Sequence, residues 1–351
     1  MRIEARSPGK MILIGEYAVL EGATALVAAV DRTATVSLNG NVTGKFSLTA
    51  PNLDIEKAEF LPGREGNPRF LIQESAPSQT KLRFFDTVFS HVWKQFRKDS
   101  SEGIDVCIDT SAFFLSDGTK LGLGSSAALT CALTAGLNAW FDNELSQRML
   151  FEKALNMHYT AQGHMGSGID IAAGVFGGIL AYRKIEPFPE ITGLKHHKEI
   201  IILPVWSGQS ASTIKMVERV TDFKSRDPDR YNSVIKRMTD SSEKAVKFWS
   251  SLRIDGFLAQ IDQYADLMTE LGVLSRTPIV SVKHERIGKI IRKYQGVYKP
   301  SGAGGGDLGL AFWAARDAAP DLLMKLVSEG VTPIKLSFGS KGTSVQRHSK
   351  N

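Results

Sequence analysis

Apolar and polar positions set a β rhythm at the start of the chain. Met11-Ile12-Leu13-Ile14 is a short apolar run, and Ala25-Leu26-Val27-Ala28-Ala29-Val30 is a second. Thr33-Ala34-Thr35-Val36-Ser37-Leu38 alternates with period two, so three strands are predicted over residues 2–50. Residues 51–79 mix Pro, Gly and charge and read as a long loop. From Gln73 to Lys98 the period becomes helical, through Leu82, Phe85, Val88, Phe89 and Val92. Gly103–Thr110 alternates again, as a strand, and Ser116-Asp117-Gly118-Thr119 is a turn.

Behind that turn lies Lys120-Leu121-Gly122-Leu123-Gly124-Ser125-Ser126-Ala127-Ala128-Leu129. Ala128, Leu129, Ala132, Leu133, Gly136, Leu137 and Trp140 recur at helical spacing, which buries one helix face. Ser125 is the predicted N-cap. A glycine loop feeding a buried helix leaves N–H groups bare at the helix end, where the dipole also favours anions. Lys120 stands at the mouth of that loop. The bland reading is a tight turn capping a core helix. A Walker loop fails, because no lysine precedes Ser125-Ser126. A dinucleotide fingerprint fits as Gly122, Gly124 and Ala127, with Asp142 about 20 residues on. That acid should end a second strand, whereas Trp140–Glu144 reads as a helix end.

A second helix is predicted from Ser146 to Ala161, ended by Gly163, Gly166 and Gly168. Asp170 then heads an apolar run between Ile169 and Ile171. It is either a helix N-cap or a partly buried carboxylate held for charge pairing or proton transfer, with Lys10 as the natural partner. Residues 186–198 carry two prolines and the basic cluster Lys195-His196-His197-Lys198, and the domain boundary is placed there. Ile200–Trp206 is a strand that leads into Ser207–Thr213, a hydroxyl-rich loop. Helices follow at about 228–250 and 255–274. Lys299–Phe312 then holds a second glycine cradle ahead of an apolar strand. A helix at about 318–329, a strand at 332–336 and a frayed polar tail complete the pattern.

Composition narrows the class. With 351 residues, 42% hydrophobic and 23% charged, the chain is long enough for two globular domains. The net charge of +6 is scattered, so nucleic-acid binding is not implied, and the modest excess suits an acidic small substrate equally well. Neither a signal peptide nor an apolar run of membrane-spanning length is present. Two apolar-flanked cysteines, Cys107 and Cys131, fit a reduced, cytoplasmic protein. The dispersed histidines have no metal-ligand spacing.

Taken in order, the lysine-bearing first strand, Gly122–Ala128, Gly166–Asp170 and Gly302–Asp307 resemble the GHMP kinases over nearly the whole chain. That superfamily is named for the galactose, homoserine, mevalonate and phosphomevalonate enzymes. Ala161–Ala173, Ser301–Asp307 and Leu71-Ile72-Gln73-Glu74 are similar to the phosphomevalonate kinase branch. Mevalonate kinases place a magnesium-binding glutamate eleven residues before the catalytic aspartate; here that position is Tyr159.

The resemblance implies an α+β, two-domain GHMP kinase fold, split at 1–190 and 191–351. The first domain would be like domain 2 of ribosomal protein S5 and the second ferredoxin-like. It implies ATP and Mg²⁺ as cofactors, a small phosphorylated acceptor as substrate, no nucleic-acid or membrane partner, and a monomer or homodimer. Lys10 and Asp170 would be catalytic. Lys120, Gly122, Leu123, Gly124, Ser125, Ser126 and Ala127 would hold the nucleotide, with Ser126 on the metal. Glu16, Tyr17, Ser167, Gly168, Ser212, Thr213, Ser301, Gly302, Ala303, Gly304 and Asp307 would line the acceptor site.

Overall fold

A computed structural model describes residues 1–63, 66–71, 79–96, 103–163 and 166–348, without the side chains of 79–81, 213 and 214. Ile72-Gln73-Glu74 and His164-Met165 lie outside the described residues.

The predicted short strands fuse into two long ones. β1 (Arg2–Ile14) and β2 (Thr24–Asn41) pair antiparallel from Arg2 opposite Asn39 to Ile14 opposite Leu26. Ser7-Pro8-Gly9-Lys10 therefore lies inside β1. The register shifts between Pro8 and Gly9, a bulge of the kind that admits a strand proline. From Ser7 to Ile14 every residue of β1 is buried. Gly9 is required by close approach, since a Cβ there would stand 2.7 Å from the Leu123 carbonyl oxygen.

The 51–79 stretch is not one loop. β3 (Phe46–Ala50), β4 (Ile55–Pro62) and β5 (Pro68–Phe70) extend the sheet beyond β6 (Gly103–Asp109), giving the order β1-β2-β6-β3-β4-β5. Phe46, Phe60 and Phe70 stack inward at successive strands, and α1 (Gln79–Phe96) covers them with Phe85 and Phe89. β7 (Ile179–Arg183) pairs with the first half of β2, and β8 (Glu190–Leu194) pairs with β7. The tail is not frayed: β13 (Ser344–His348) pairs with β1 and covers its open edge. α2 (Ser125–Trp140) is buried everywhere except at Ser126, and its small residues let it lie close on β1. α3 (Gln147–Gln162) and α4 (Ile169–Phe176) complete this layer.

After Leu194 the chain leaves this sheet. The second sheet contains β9 (Ile200–Trp206), β10 (Val297–Pro300), β11 (Leu308–Ala314) and β12 (Thr332–Pro333), all antiparallel, in the order β10-β11-β9-β12. Counted along the chain that order is 2-3-1-4, the ferredoxin-like arrangement. α5 (Thr213–Arg226), α6 (Pro228–Ser250), α7 (Ile254–Leu274) and α8 (Val282–Lys293) fill the first crossover. α9 (Leu322–Ser328) fills the second and is shorter than its sequence pattern. Among the described residues no helix is long and apolar enough to cross a membrane.

Candidate active site

The glycine loop is anchored by its leucines. Leu121 and Leu123 are buried, while Gly122 between them faces out. The Leu123 carbonyl accepts the Lys10 N–H at 2.9 Å, so β1 and the loop are joined by backbone at the lysine itself. Gly124, not Ser125, is the N-cap of α2. Its φ of +78° lies in the left-handed region that disfavours a side chain, and no side chain caps the helix. Ser125 is the first helical residue. Among the described residues the N–H groups of Ser125, Ser126 and Ala127 meet no acceptor, and the first helical bond is Ala128 N–H to Gly124 O.

α4 repeats the device. Gly168, at φ +83°, caps it, which makes Asp170 the second helical residue rather than the cap. Both helix starts open on one cavity of about 430 Å³ between the two sheets' domains. Lys10 and Asp170 meet there, Nζ to Oδ1, at 3.7 Å. Lys10 is nearly buried, at 11% side-chain exposure, and Asp170 is about one-third exposed, at 34%. Gly124 packs against this pair: a Cβ on it would lie 3.3 Å from Lys10 Cε and 3.6 Å from Asp170 Oδ2.

The second domain supplies the opposite wall. Ser301 Oγ donates to the Ile12 carbonyl at 3.0 Å, and Tyr17 donates to the Ala303 carbonyl at 2.6 Å. Burial pushes the Tyr17 hydroxyl pKa far up, so it stays a donor. Buried His284 holds the cradle from behind. Its Nε2 bonds the Gly306 carbonyl at 3.0 Å and its Nδ1 the Tyr298 hydroxyl at 2.8 Å. A carbonyl only accepts, so Nε2 carries the proton. Burial pushes the His284 pKa down to about 4.

Most of the expected residues line this cavity, but several do so differently than expected. Leu123 and Ala127 are core residues and contribute backbone alone. Glu16 is not a free acceptor ligand. It is ion-paired with Lys299, both side chains are almost fully buried, and the Gly302 N–H reaches the same carboxylate oxygen at 3.4 Å. Asp307 faces the glycine loop, since a Cβ on Gly122 would meet its Oδ2 at 2.8 Å. Ser212 reaches the cavity, whereas the Thr213 side chain lies outside the described residues. Asp142 is remote from all of this: it follows α2 and pairs with Arg347 at 2.6 Å. Nor does a sheet strand run directly into the glycine loop, since β6 ends at Asp109, and the dinucleotide reading is set aside.

Sequence reasoning missed Arg83, Phe84, His158 and Lys299. Arg83 and Phe84 flank the apolar stripe of α1, and no spacing signals that they turn toward α3. There Phe84 stacks on His158, 5.4 Å between centroids, and the His158 Nε2 lies 3.4 Å from Ser126 Oγ. Burial lowers the His158 pKa, which favours the neutral ring.

A sequence profile of the GHMP kinases N terminal domain matches residues 87–178. Phosphomevalonate kinase of Streptomyces sp. (strain CL190) is 28% identical, covering 97% of this chain and 98% of that protein. Mevalonate kinase of Archaeoglobus fulgidus is 26% identical over 93% of this chain and 98% of its own. A solved structure of Streptococcus pneumoniae phosphomevalonate kinase, in complex with phosphomevalonate and AMPPNP, superposes with a TM-score of 0.77. That match is 17% identical and covers 95% and 99% of the two chains, a likeness of fold.

Proposed function

We propose that this chain, which is a GHMP kinase and thus a phosphotransferase of mevalonate-pathway type, phosphorylates 5-phosphomevalonate with ATP to give mevalonate diphosphate. The observation that carries this is the Lys10–Asp170 pair, 3.7 Å apart, set between two helix starts whose capping residues are the glycines Gly124 and Gly168.

Phosphoryl transfer asks for positioning and charge neutralisation more than covalent chemistry. The Gly122–Ala127 backbone would hold the triphosphate at the α2 start, with Lys120 at its mouth. An acceptor phosphate oxygen attacks the γ-phosphorus, forming one O–P bond as the bond to the bridging oxygen breaks. ADP leaves with that electron pair. The Lys10 ammonium stabilises the charge on the transferring group, and Asp170 orients the acceptor and fixes Lys10. A phosphate acceptor is largely ionised near neutral pH, so it needs the lysine more than a base. Ser167, Gly168, Ser212 and the 301–304 loop would bind the acceptor.

Magnesium, when bound, neutralises charge on the nucleotide phosphates. Among the described residues no three His, Cys, Asp or Glu side chains gather as ligands. That suits Mg²⁺, which keeps several waters and takes only one or two protein oxygens alongside phosphates. The Ser126 hydroxyl, on the cavity wall beside the loop, would be one of them.

The test is ADP release from ATP with phosphomevalonate and mevalonate measured side by side. Phosphomevalonate should win in kcat/KM by about a hundredfold or more, because a site built for a charged group rejects the analogue lacking it. The reverse preference would make mevalonate the acceptor and leave the kinase assignment intact.

A further inference from the structure

Among the described residues three carboxylates line the cavity: Glu16, Asp170 and Asp307. Two have cations. Glu16 is paired with Lys299 and Asp170 with Lys10. Asp307 forms no ion pair among the described residues. Its one hydrogen bond to the side chain is long, from the Ala211 N–H at 3.4 Å. It is a half-buried carboxylate with no cation in contact among the described residues.

Its position is built. The Asp307 N–H donates to the Gln209 carbonyl at 2.7 Å, and its own carbonyl accepts the Ser207 N–H at 3.0 Å. These bonds hold the residue at φ +54°, a conformation that aspartate and asparagine tolerate better than most. The side chain is thereby laid against Gly122, on the loop whose helix start is bare of acceptors. A loop that attracts phosphates therefore faces a fixed carboxylate from the other domain. Two anions brought together in a half-buried cleft repel unless a cation lies between them.

We propose that Asp307 is the protein carboxylate that holds the divalent cation accompanying the nucleotide. The proposal rests on the phosphotransferase reading and assigns a metal-facing role to the third glycine motif. The phosphates and Ser126 bring the remaining oxygens from the first domain. Cation binding would then couple nucleotide loading to the meeting of the two domains, because the ligands come from both.

The test measures AMPPNP affinity by calorimetry, in EDTA and in excess Mg²⁺, for wild type and Asp307→Asn. Wild type should gain about tenfold or more in affinity from Mg²⁺. Asp307→Asn should bind AMPPNP in EDTA at least as well as wild type, having lost a repelling charge, and should lose the magnesium gain. A full magnesium gain in Asp307→Asn, or none in wild type, overturns the proposal. Wild type that binds no AMPPNP in either condition removes the phosphotransferase reading itself. Should Asp307→Asn fold poorly by its melting curve, Asp307→Cys decides the matter. A thiolate ligand must shift the preference from Mg²⁺ toward Cd²⁺, and an unchanged preference rejects Asp307 as ligand.

Discussion

Replacing Lys299 by Met should cost more stability than any other single change at this site. Lys299 is fully buried, and its ammonium donates to the Glu16 carboxylate and, at 2.9 Å, to the Pro300 carbonyl. Methionine keeps the stem volume and removes the charge. Glu16, 2% exposed, would be left with the Gly302 N–H at 3.4 Å on Oε1 and nothing on Oε2, which already lacks a donor. Stranding one member of a buried ion pair costs about 3–5 kcal/mol. Replacing both members is far milder, because the stranded charge goes with its partner. Lys299→Met with Glu16→Gln should therefore recover all but about 1–2 kcal/mol. The assay is a double-mutant cycle on the thermal midpoint, where each kcal/mol moves Tm by roughly 2–4 °C. In the same variants the acceptor KM should rise while nucleotide affinity holds, because the pair tethers the loop at Gly302 and not the loop at Gly122. Additive losses, or a Lys299→Met cost under about 1 kcal/mol, would refute the reasoning.

Lys10→Met should lower kcat by about 10²–10³, the usual loss on deleting one transition-state charge stabiliser, with an unchanged melting curve. Turnover at the wild-type level would remove Lys10 from the chemistry. Gly124→Ala forces a side chain into the left-handed region, at about 1–2 kcal/mol, and presses a methyl group on Lys10. Nucleotide affinity and kcat should fall together, and an active variant with wild-type affinity would show that the loop tolerates a β-carbon. Asp86 is the pH probe. Burial raises its pKa from 3.8 to about 6, and its Oδ1 has no donor. The native state then binds the extra proton between those values, so this group subtracts stability as pH rises from about 4 to 6. His284, lowered from 6.5 to about 4, adds stability as pH rises over nearly the same window. In wild type these two effects oppose one another. Asp86→Asn should be unchanged near pH 4, about 1–2 kcal/mol more stable above pH 6, and steep between. A flat profile for the variant would contradict the assignment.

The glycine loops were legible because left-handed backbone and close approach admit little else. Gly9, Gly122, Gly124 and Gly168 each meet one of those demands. Lys10 was legible as a charge beside an apolar run, although the strand that carries it is three times longer than its apolar core implied. Among the strands missed, β5 and β13 lie at edges of the first sheet and β4 lies next to β5. β4 and β5 mix charge and proline, and β13 is exposed throughout, so neither shows the buried-face pattern that sequence reading depends on. The N-cap of α2 went to the serine because capping preference describes side chains, whereas this helix start is left uncapped.

What no local pattern carries is pairing across the cleft. Glu16 and Lys299 are 283 residues apart, and Gly122 and Asp307 are 185 apart. The two halves of the site are also held by different means. Backbone joins Lys10 to the Gly122–Gly124 loop, through its N–H to the Leu123 carbonyl within one domain. Side chains join the 301–304 loop to the first domain, through Tyr17, Glu16 and Ser301. Backbone registry survives most substitutions, whereas each side-chain tie is lost with one. Substitutions along the domain seam should therefore act first on acceptor binding, and the phosphate-holding half should keep its geometry until β1 itself is disturbed.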